Sequence, residues 1–398
     1  MAKLKSEIKW WYQRAKNLYH LGVSVWFVIK YGYPAKKLTV IGVTGTDGKT
    51  TTCTLIYEIL RKAGGGIKPA LLTSVSARVG DSEIETGLHT TNPDARLMQP
   101  ILARMVAEGV THLVLEVTAH GLDQFRVWGC NISIGVLTNI THEHLDDFVD
   151  MKRYREAKAK LLVSAQYSVL NKDDASFEWF KARCRGRVIP YGKTRIKDIS
   201  LALAGDYNKY NIGAAEAVAE ILGIERVVPL VVRSFRGVPG RREEVKAGQK
   251  FRVIVDFAHT PNALEQVLEQ LRKELPAGKK LIAVFGCTGG RDKTKRPMMG
   301  GIAARLAEAV IVTSDDTRGE NQDDIYVQIV GGMADRQPIK ENDRRRAIGM
   351  AVKMAKPGDI ILLAGKGHEK SLLIGKTEIP WSDAEEAKRA MKRKGRGF

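Results

Sequence analysis

Two rhythms of hydrophobic positions run along the chain. Short apolar runs rich in Val, Ile and Leu read as buried strands. Stretches with apolar residues every three to four positions read as helices. From residue 38 onward the two alternate. Strands are predicted over 38–43, 70–74, 112–116, 132–137 and 168–170, and helices over 50–63, 95–108, 151–162 and 208–222. A second series starts near 240. Its strands fall at 251–257, 280–285, 309–313 and 359–364; its helices fall at 261–274, 295–307, 324–334, 343–355 and 383–394. Such alternation implies mostly parallel sheets with helices on both faces. The expected fold class is α/β: a central doubly wound sheet of phosphate-loop type plus a C-terminal Rossmann-like α/β domain. The predicted division is 1–37, 38–239 and 240–398.

The first segment has a different pattern. Residues 1–33 read as helix with eight aromatics: Trp10, Trp11, Tyr12, Tyr19, Trp26, Phe27, Tyr31 and Tyr33. Its apolar run at 21–29 is too short to span a bilayer. Two roles stay open for it, packing on the next domain or lying on an anionic membrane.

Length and charge narrow the classes. A chain of 398 residues holds two or three domains and a sizeable core. The net charge of +19 is uneven. Residues 1–37 carry eight Lys/Arg against Glu7 alone, and residues 387–398 carry six with no acid. Charge gathered at the ends does not point to nucleic acid; it suits solvated tails or an anionic surface. The four cysteines lie far apart with no C-x-x-C pair, so neither a zinc ribbon nor a disulfide framework is indicated. With no secretory pattern, the chain is expected to be cytoplasmic.

The chemistry gathers around residues 38–58, LTVIGVTGTDGKTTTCTLIYE. An apolar run feeds a glycine-rich turn that opens into a helix, the order a nucleoside triphosphate needs. Amides at the helix start and the helix dipole favour phosphate charge. Lys49 would reach the β- and γ-phosphates, and Thr50 would offer its hydroxyl to Mg²⁺. The spacing departs from G-x-x-x-x-G-K-[ST], since Val43 stands where the first Gly would be. Glu116 ends a predicted parallel strand, at the ligand edge of such a sheet, where it can hold the Mg²⁺. The run from Asn139 to Asp146, NITHEHLD, packs two His and two acids within five residues, a pattern suited to metal or phosphate.

The loop Gly45-Thr46-Asp47-Gly48-Lys49-Thr50-Thr51 resembles the ATP loop G-T-x-G-K-T-[ST] of the Mur ligase family, which joins amines to carboxylates through an acyl phosphate. Further motifs follow in order over about residues 38–385. The run EVTAHGLDQFR from Glu116 resembles E-V-S-S-H-x-L-x-Q-x-R; the resemblance implies that Thr118, Gln124 and Arg126 touch a muramoyl peptide. Ala119 loses the second hydroxyl of that pattern. The HTTNPD run resembles a T-T-P-D loop, giving Thr90 and Thr91 as further peptide contacts, with Asn92 inserted. NITHEHLD resembles N-[IL]-x-x-D-H-L-D, which places a second Mg²⁺ ligand at His144. The run from Tyr154 resembles Y-x-x-A-K-x-x-L, whose lysine is carbamoylated by CO₂; here it is Lys158.

GDYNKYN implies that Asn208 reads adenine, GVPGRRE that Arg241 reaches the γ-phosphate, and DFAHTP that Asp256 takes the ribose and His259 lies near the phosphates. The segments at 285–300, 313–320 and 365–369 resemble the branch that adds the third residue to UDP-N-acetylmuramoyl-L-alanyl-D-glutamate. That branch's amino-acid pocket falls on Arg291, Asp315, Asp316, Thr317, Arg318, Gly365 and Glu369.

The resemblance thus implies an ATP-dependent amide ligase of peptidoglycan synthesis. It would use two Mg²⁺ and a lysine carbamate, act on a muramoyl dipeptide and an amino acid, and work as a monomer without nucleic acid. Two departures bear on its substrates. The family's N-terminal uridine-binding domain is expected to be absent. The family's diaminopimelate quartet D-N-P-R reads D-D-T-R here, which leaves diaminopimelate and lysine both open. The alternatives are a related ligase with another carboxylate or a lipid-linked acceptor, and a non-catalytic ATP-binding protein.

Overall fold

A computed structural model describes residues 2–79, 82–84, 91–141 and 145–395. The chain forms two compact units, Met1–Arg236 and Gly237–Phe398.

The first unit is built on an eight-stranded sheet. Its strands are β1 (Thr39–Thr44), β2 (Pro69–Leu72), β3 (Ala77–Val79), β4 (Ser82–Ile84), β5 (His112–Glu116), β6 (Ile132–Leu137), β7 (Tyr167–Asn171) and β8 (Arg187–Tyr191). Their order is β4-β3-β2-β5-β1-β6-β7-β8, parallel except at β3 and β4. The central strands are buried on both faces, which is why they read as continuous apolar runs. Nine helices pack in this unit: α1 (Ala2–Lys30), α2 (Lys49–Ala63), α3 (Ala95–Ala107), α4 (Ala119–Asp123), α5 (Leu145–Phe148), α6 (Met151–Val163), α7 (Phe177–Lys181), α8 (Asp206–Leu222) and α9 (Val228–Ser234), counted among the described residues. Asp94 and Asp150 cap α3 and α6 by accepting from the Arg96 and Arg153 amides.

The second unit carries β9 (Glu243–Glu244), β10 (Arg252–Asp256), β11 (Leu281–Phe285), β12 (Ala309–Val312), β13 (Ile339–Lys340) and β14 (Ile360–Ala364), ordered β13-β12-β11-β14-β10-β9. A hairpin, β15 (Ser371–Ile374) and β16 (Thr377–Pro380), stands apart from that sheet. Helices α10 (Pro261–Glu274), α11 (Lys295–Leu306), α12 (Gln322–Val330), α13 (Arg344–Met354) and α14 (Asp383–Gly395) follow. One core lies between the sheet and α10, α11 and α12, around Leu264, Leu268, Met299 and Ile325. A second, with Ile348, Ala351, Ala387 and Met391, lies on the opposite face. This is the doubly wound arrangement, two layers of helix about one sheet.

Most predicted strands and helices appear within a few residues of their expected bounds. The pattern gave no sign of the β3–β4 and β15–β16 hairpins, of β8 or of α4. These pieces span five residues or fewer, below the length at which a period shows, and Pro190 in β8 suits an edge strand alone. No helix among the described residues is long and apolar enough to cross a membrane.

Candidate functional site

Strand register sets the site in the first unit. Val43 of β1 stands opposite Glu116 of β5, and Thr44 opposite Leu137 of β6, so three strands end at one level. The loop 45–48 leaves β1 there and α2 begins at Lys49, turning its first amides toward the loop. A Cβ on Gly45 would lie 1.8 Å from Thr138 Oγ1, and one on Gly48 2.3 Å from Asn211 Oδ1. Close approach, together with positive φ at both, demands glycine. The loop is clamped by residues after β6. Thr138 Oγ1 donates to Asp47 O at 2.6 Å, the Asp47 amide to Asn139 Oδ1 at 2.9 Å, and the Thr46 amide to Asn139 O at 2.9 Å. Lys49 Nζ donates to Thr46 O at 2.8 Å and Gly45 O at 3.2 Å. Thr51 is half-buried on the first turn of α2.

Beside the loop, three oxygens converge. Glu116 Oε2 accepts from Thr50 Oγ1 at 3.0 Å, from Ser74 Oγ at 3.3 Å and from the Ser74 amide at 3.2 Å. One carboxylate with two hydroxyls, in a site where Glu116 is 3% exposed, fits a hard oxygen-seeking cation such as Mg²⁺. Among the described residues, no group of three His, Cys, Asp or Glu side chains is placed to hold a metal. His144 and Thr90 lie outside the described residues. Lys158, 1% exposed, donates to Gly45 O at 2.7 Å and lies over the Tyr154 ring. Lys49 and Lys158 therefore share one carbonyl oxygen. Asn208, near the start of α8, accepts from Asn211 Nδ2 at 2.8 Å, and Asn211 accepts from Thr52 Oγ1 of α2 at 3.2 Å.

Thr118, Gln124 and Arg126 are brought together around Asn92. Asn92 Oδ1 accepts from the Thr118 amide at 2.8 Å and Thr118 Oγ1 at 2.9 Å; its Nδ2 donates to Glu116 O at 2.8 Å. Arg126 donates to Asn92 O at 3.0 Å and to Gln124 Oε1 at 2.8 Å. Thr91 is half-buried next to Asn92. Helix α1 lies against the same segment. Asn17 Nδ2 and Arg14 Nη1 donate to the Asp123 carboxylate at 3.0 and 3.1 Å, and Ser24 Oγ donates to Phe125 O at 2.8 Å. Burial, then the charge of Arg126, holds the His20 imidazole of α1 below its ordinary value.

In the second unit, the Arg241 guanidinium lies 4.3 Å over the Phe257 ring. Asp256 ends β10 and accepts from the Arg242 and Ala258 amides at 2.7 and 2.8 Å. Burial pushes its carboxyl up, against the pull of Arg241 and those amides. His259 Nδ1 bonds Phe257 O at 2.9 Å, and His259 O accepts from Lys295 Nζ at 2.8 Å.

The 315–318 quartet leaves the end of β12. Asp315 Oδ1 accepts from the Asp316 amide at 2.6 Å, and a Cβ on Gly365 would lie 2.9 Å from Asp315 Oδ2. The Gly289 amide donates to Asp316 O at 2.7 Å, which seats the loop carrying half-buried Arg291 against the quartet. A Cβ on Gly290 would be 3.9 Å from the Arg318 Cβ; Arg318 is exposed with φ of 49°. Lys366, 1% exposed, donates to Asp316 Oδ1 at 2.8 Å and pairs with Glu369 Oε2 at 2.5 Å. Burial would lower its pKa, but Glu369, Asp315 and Asp316 outweigh this and keep it raised. The β15–β16 hairpin closes on the quartet: the Leu373 amide donates to Asp316 Oδ1 and the Gly375 amide to Thr317 Oγ1, at 2.9 and 2.7 Å.

Sequence reasoning missed several of these groups. Ser74, expected as the last residue of a strand, lies in the bend after β2, Thr138 follows β6 outside any motif, and Asn92 reads as an insertion. Lys366 lies inside the GKGHE run, where its position between Gly365 and Glu369 was the available signal. Arg344, in a charged run that reads as solvated, is buried: it grips Asp383 at 2.6–2.8 Å and donates to Ser314 O and Ala364 O, bracing the ends of β12 and β14.

Comparison with known proteins gives the following. Residues 43–198 match the Mur ligase middle domain, and residues 240–367 match the Mur ligase glutamate ligase domain. A UDP-N-acetylmuramoyl-L-alanyl-D-glutamate–2,6-diaminopimelate ligase of Bacillus cereus is 37% identical over 91% of this chain and 79% of its own. A solved structure of a ligase of that name is 31% identical, covering 90% of this chain and 79% of the other, with a TM-score of 0.58. A Mycobacterium tuberculosis folylpolyglutamate synthase structure shares the fold at a TM-score of 0.72 and 17% identity, covering 93% and 94% of the two chains.

Proposed function

The chain belongs to the Mur ligase family of ATP-dependent amide ligases, and from that premise we propose that it adds diaminopimelate to the D-glutamate of a muramoyl dipeptide precursor. The observation that carries the reading is the phosphate loop with Lys49 beside the Thr50–Ser74–Glu116 oxygens. The acceptor carboxylate attacks the γ-phosphate of ATP, releasing ADP and leaving an acyl phosphate. The amine of the amino acid then attacks the acyl carbon, and phosphate departs from the tetrahedral intermediate. Lys49 and Arg241 neutralise charge as it develops on the phosphoryl oxygens, the kind of term that is commonly largest. Gly45, Thr46, Asp47, Gly48, Thr50 and Thr51 cradle the phosphates; Asn208, Asp256 and His259 hold the nucleoside and phosphates. Thr90, Thr91, Thr118, Gln124 and Arg126 bind the peptide.

Thr50 and Glu116 would hold one Mg²⁺, and His144 with a carbamoylated Lys158 a second; Mg²⁺ supplies charge neutralisation at the phosphates. What supports the carbamate is the shared Gly45 carbonyl: two ammonium groups at one oxygen repel, and converting Lys158 to an anion relieves that.

The amino-acid pocket is assigned to Arg291, Asp315, Asp316, Thr317, Arg318, Gly365 and Glu369. Asp316 brings a charge where the family has Asn, but Lys366 and the Leu373 amide take it up. That pairing favours a distal carboxylate gripped by arginine over a distal ammonium. The division into 1–37, 38–239 and 240–398, a cytoplasmic monomer and a peripheral contact with anionic membrane complete the proposal.

The test is ADP release measured with acceptor, amine or both omitted, then kcat/KM for diaminopimelate against lysine. ADP release that ignores the acceptor would refute the ligase reading, and clear lysine preference would refute the choice of amine.

A further inference from the structure

Helix α1 seats polar groups as well as Val28 against the protein and turns large aromatics outward. Its buried positions include Asn17 and Ser24, bonded to Asp123 and Phe125 O, with Gln13 and His20 half-buried on the same side. Among its exposed positions are six large apolar and aromatic side chains: Leu18 is 72% exposed, Trp11 64%, Trp26 62%, with Tyr12, Tyr19 and Ile29 beside them. At 3.6 residues per turn these six fall within one arc of about 120°, running about 27 Å along the helix. A patch of this kind marks an interaction surface.

Charge decides what covers it. Lys16 and Lys30 are exposed at one border of the stripe and Arg14 at the other. Exposed Lys36 and Lys37 follow the helix. Against these stands Glu7 alone among residues 1–37. A second copy packed stripe to stripe would bring two such cationic borders together. Tryptophan and tyrosine at the boundary, flanked by lysine, match the interface of an anionic bilayer.

We propose that the outward face of α1 is an in-plane docking surface for anionic lipid. The inner face meanwhile holds Asp123 and Phe125, so docking sets the 118–126 segment at the lipid surface. That consequence alone rests on the ligase reading, in which this segment binds the acceptor.

The test uses the full chain with sedimentable vesicles of phosphatidylcholine alone or with equimolar phosphatidylglycerol. Binding is expected only with phosphatidylglycerol, weakened by molar salt. The triple variant Trp11→Ser, Leu18→Ser, Trp26→Ser and the double variant Lys16→Glu, Lys30→Glu should each lose at least about tenfold in partitioning. Both should keep wild-type turnover on soluble substrates, since none of these side chains is assigned to the site. Equal partitioning of variants and wild type, or no binding to anionic vesicles, overturns the proposal. So does a dimer in sedimentation that the triple variant abolishes while vesicles bind nothing. Vesicle binding that persists in a chain without ligase turnover supports this inference and strikes only the ligase reading.

Discussion

Replacing Asn92 by alanine probes how the acceptor segment is held. The side chain is 2% exposed and makes three hydrogen bonds, with the Thr118 amide, the Thr118 hydroxyl and the Glu116 carbonyl. Alanine removes all three and opens a small cavity. A buried polar group left without its partner costs about 1–3 kcal/mol. The Thr118 amide and Glu116 carbonyl each lose this partner, while a water entering the polar gap recovers part of the loss. The expected net cost is about 3 kcal/mol, roughly a hundredfold in the local opening equilibrium. Amide hydrogen exchange over 117–126 should accelerate by that factor. The kcat/KM for the acceptor should fall while the KM for ATP holds, because the phosphate loop is clamped from 138–141 instead. Asn92→Asp keeps the acceptor toward Thr118 but sets a carboxylate against the Glu116 carbonyl, so it should also loosen the segment. Exchange unchanged in Asn92→Ala, with a stability loss under about 1 kcal/mol, would show that the reasoning is wrong.

Further outcomes are expected elsewhere. Lys49→Ala should lower kcat at least about 100-fold and weaken ATP binding with the thermal melt retained, the scale of losing one positioned charge at the phosphates; near-normal turnover would remove the loop assignment. Lys158→Ala should lose activity, with added short carboxylates restoring part of it. A mass spectrum of active enzyme showing only free lysine, together with indifference to bicarbonate, would exclude the carbamate. Glu320 is held well below its ordinary 4.5, chiefly by hydrogen bonds from Arg296 and against the opposing pull of burial. A depressed carboxyl contributes stability that is full above 4.5 and lost as pH falls through its own lower value. Glu320→Gln should therefore lower the melting temperature at pH 7 and flatten its acid limb; an unchanged acid limb would contradict this.

The chain's local order was legible because it is written in period and punctuation. The strand–glycine–helix sequence around Lys49 and the alternating series on either side of residue 240 need only neighbours in sequence to be seen. Motif resemblance then singled out Glu116, Asp256 and the 315–318 quartet, which stand at or just beyond the ends of β5, β10 and β12, and Lys158 on α6.

Tertiary structure decided the partners, which no period encodes. Ser74 reaches Glu116 across 42 residues, and Lys366 reaches Asp316 across 50. Asn92 looks like an inserted turn residue until the chain folds it against Thr118. Helix α1 makes the point most directly. Its pattern left packing and membrane contact both open; Asn17 and Ser24 face the protein because Asp123 and the Phe125 carbonyl offer them hydrogen bonds, with Val28 buried on the same side. Only that distant chemistry sets which face of the helix is left to the solvent side.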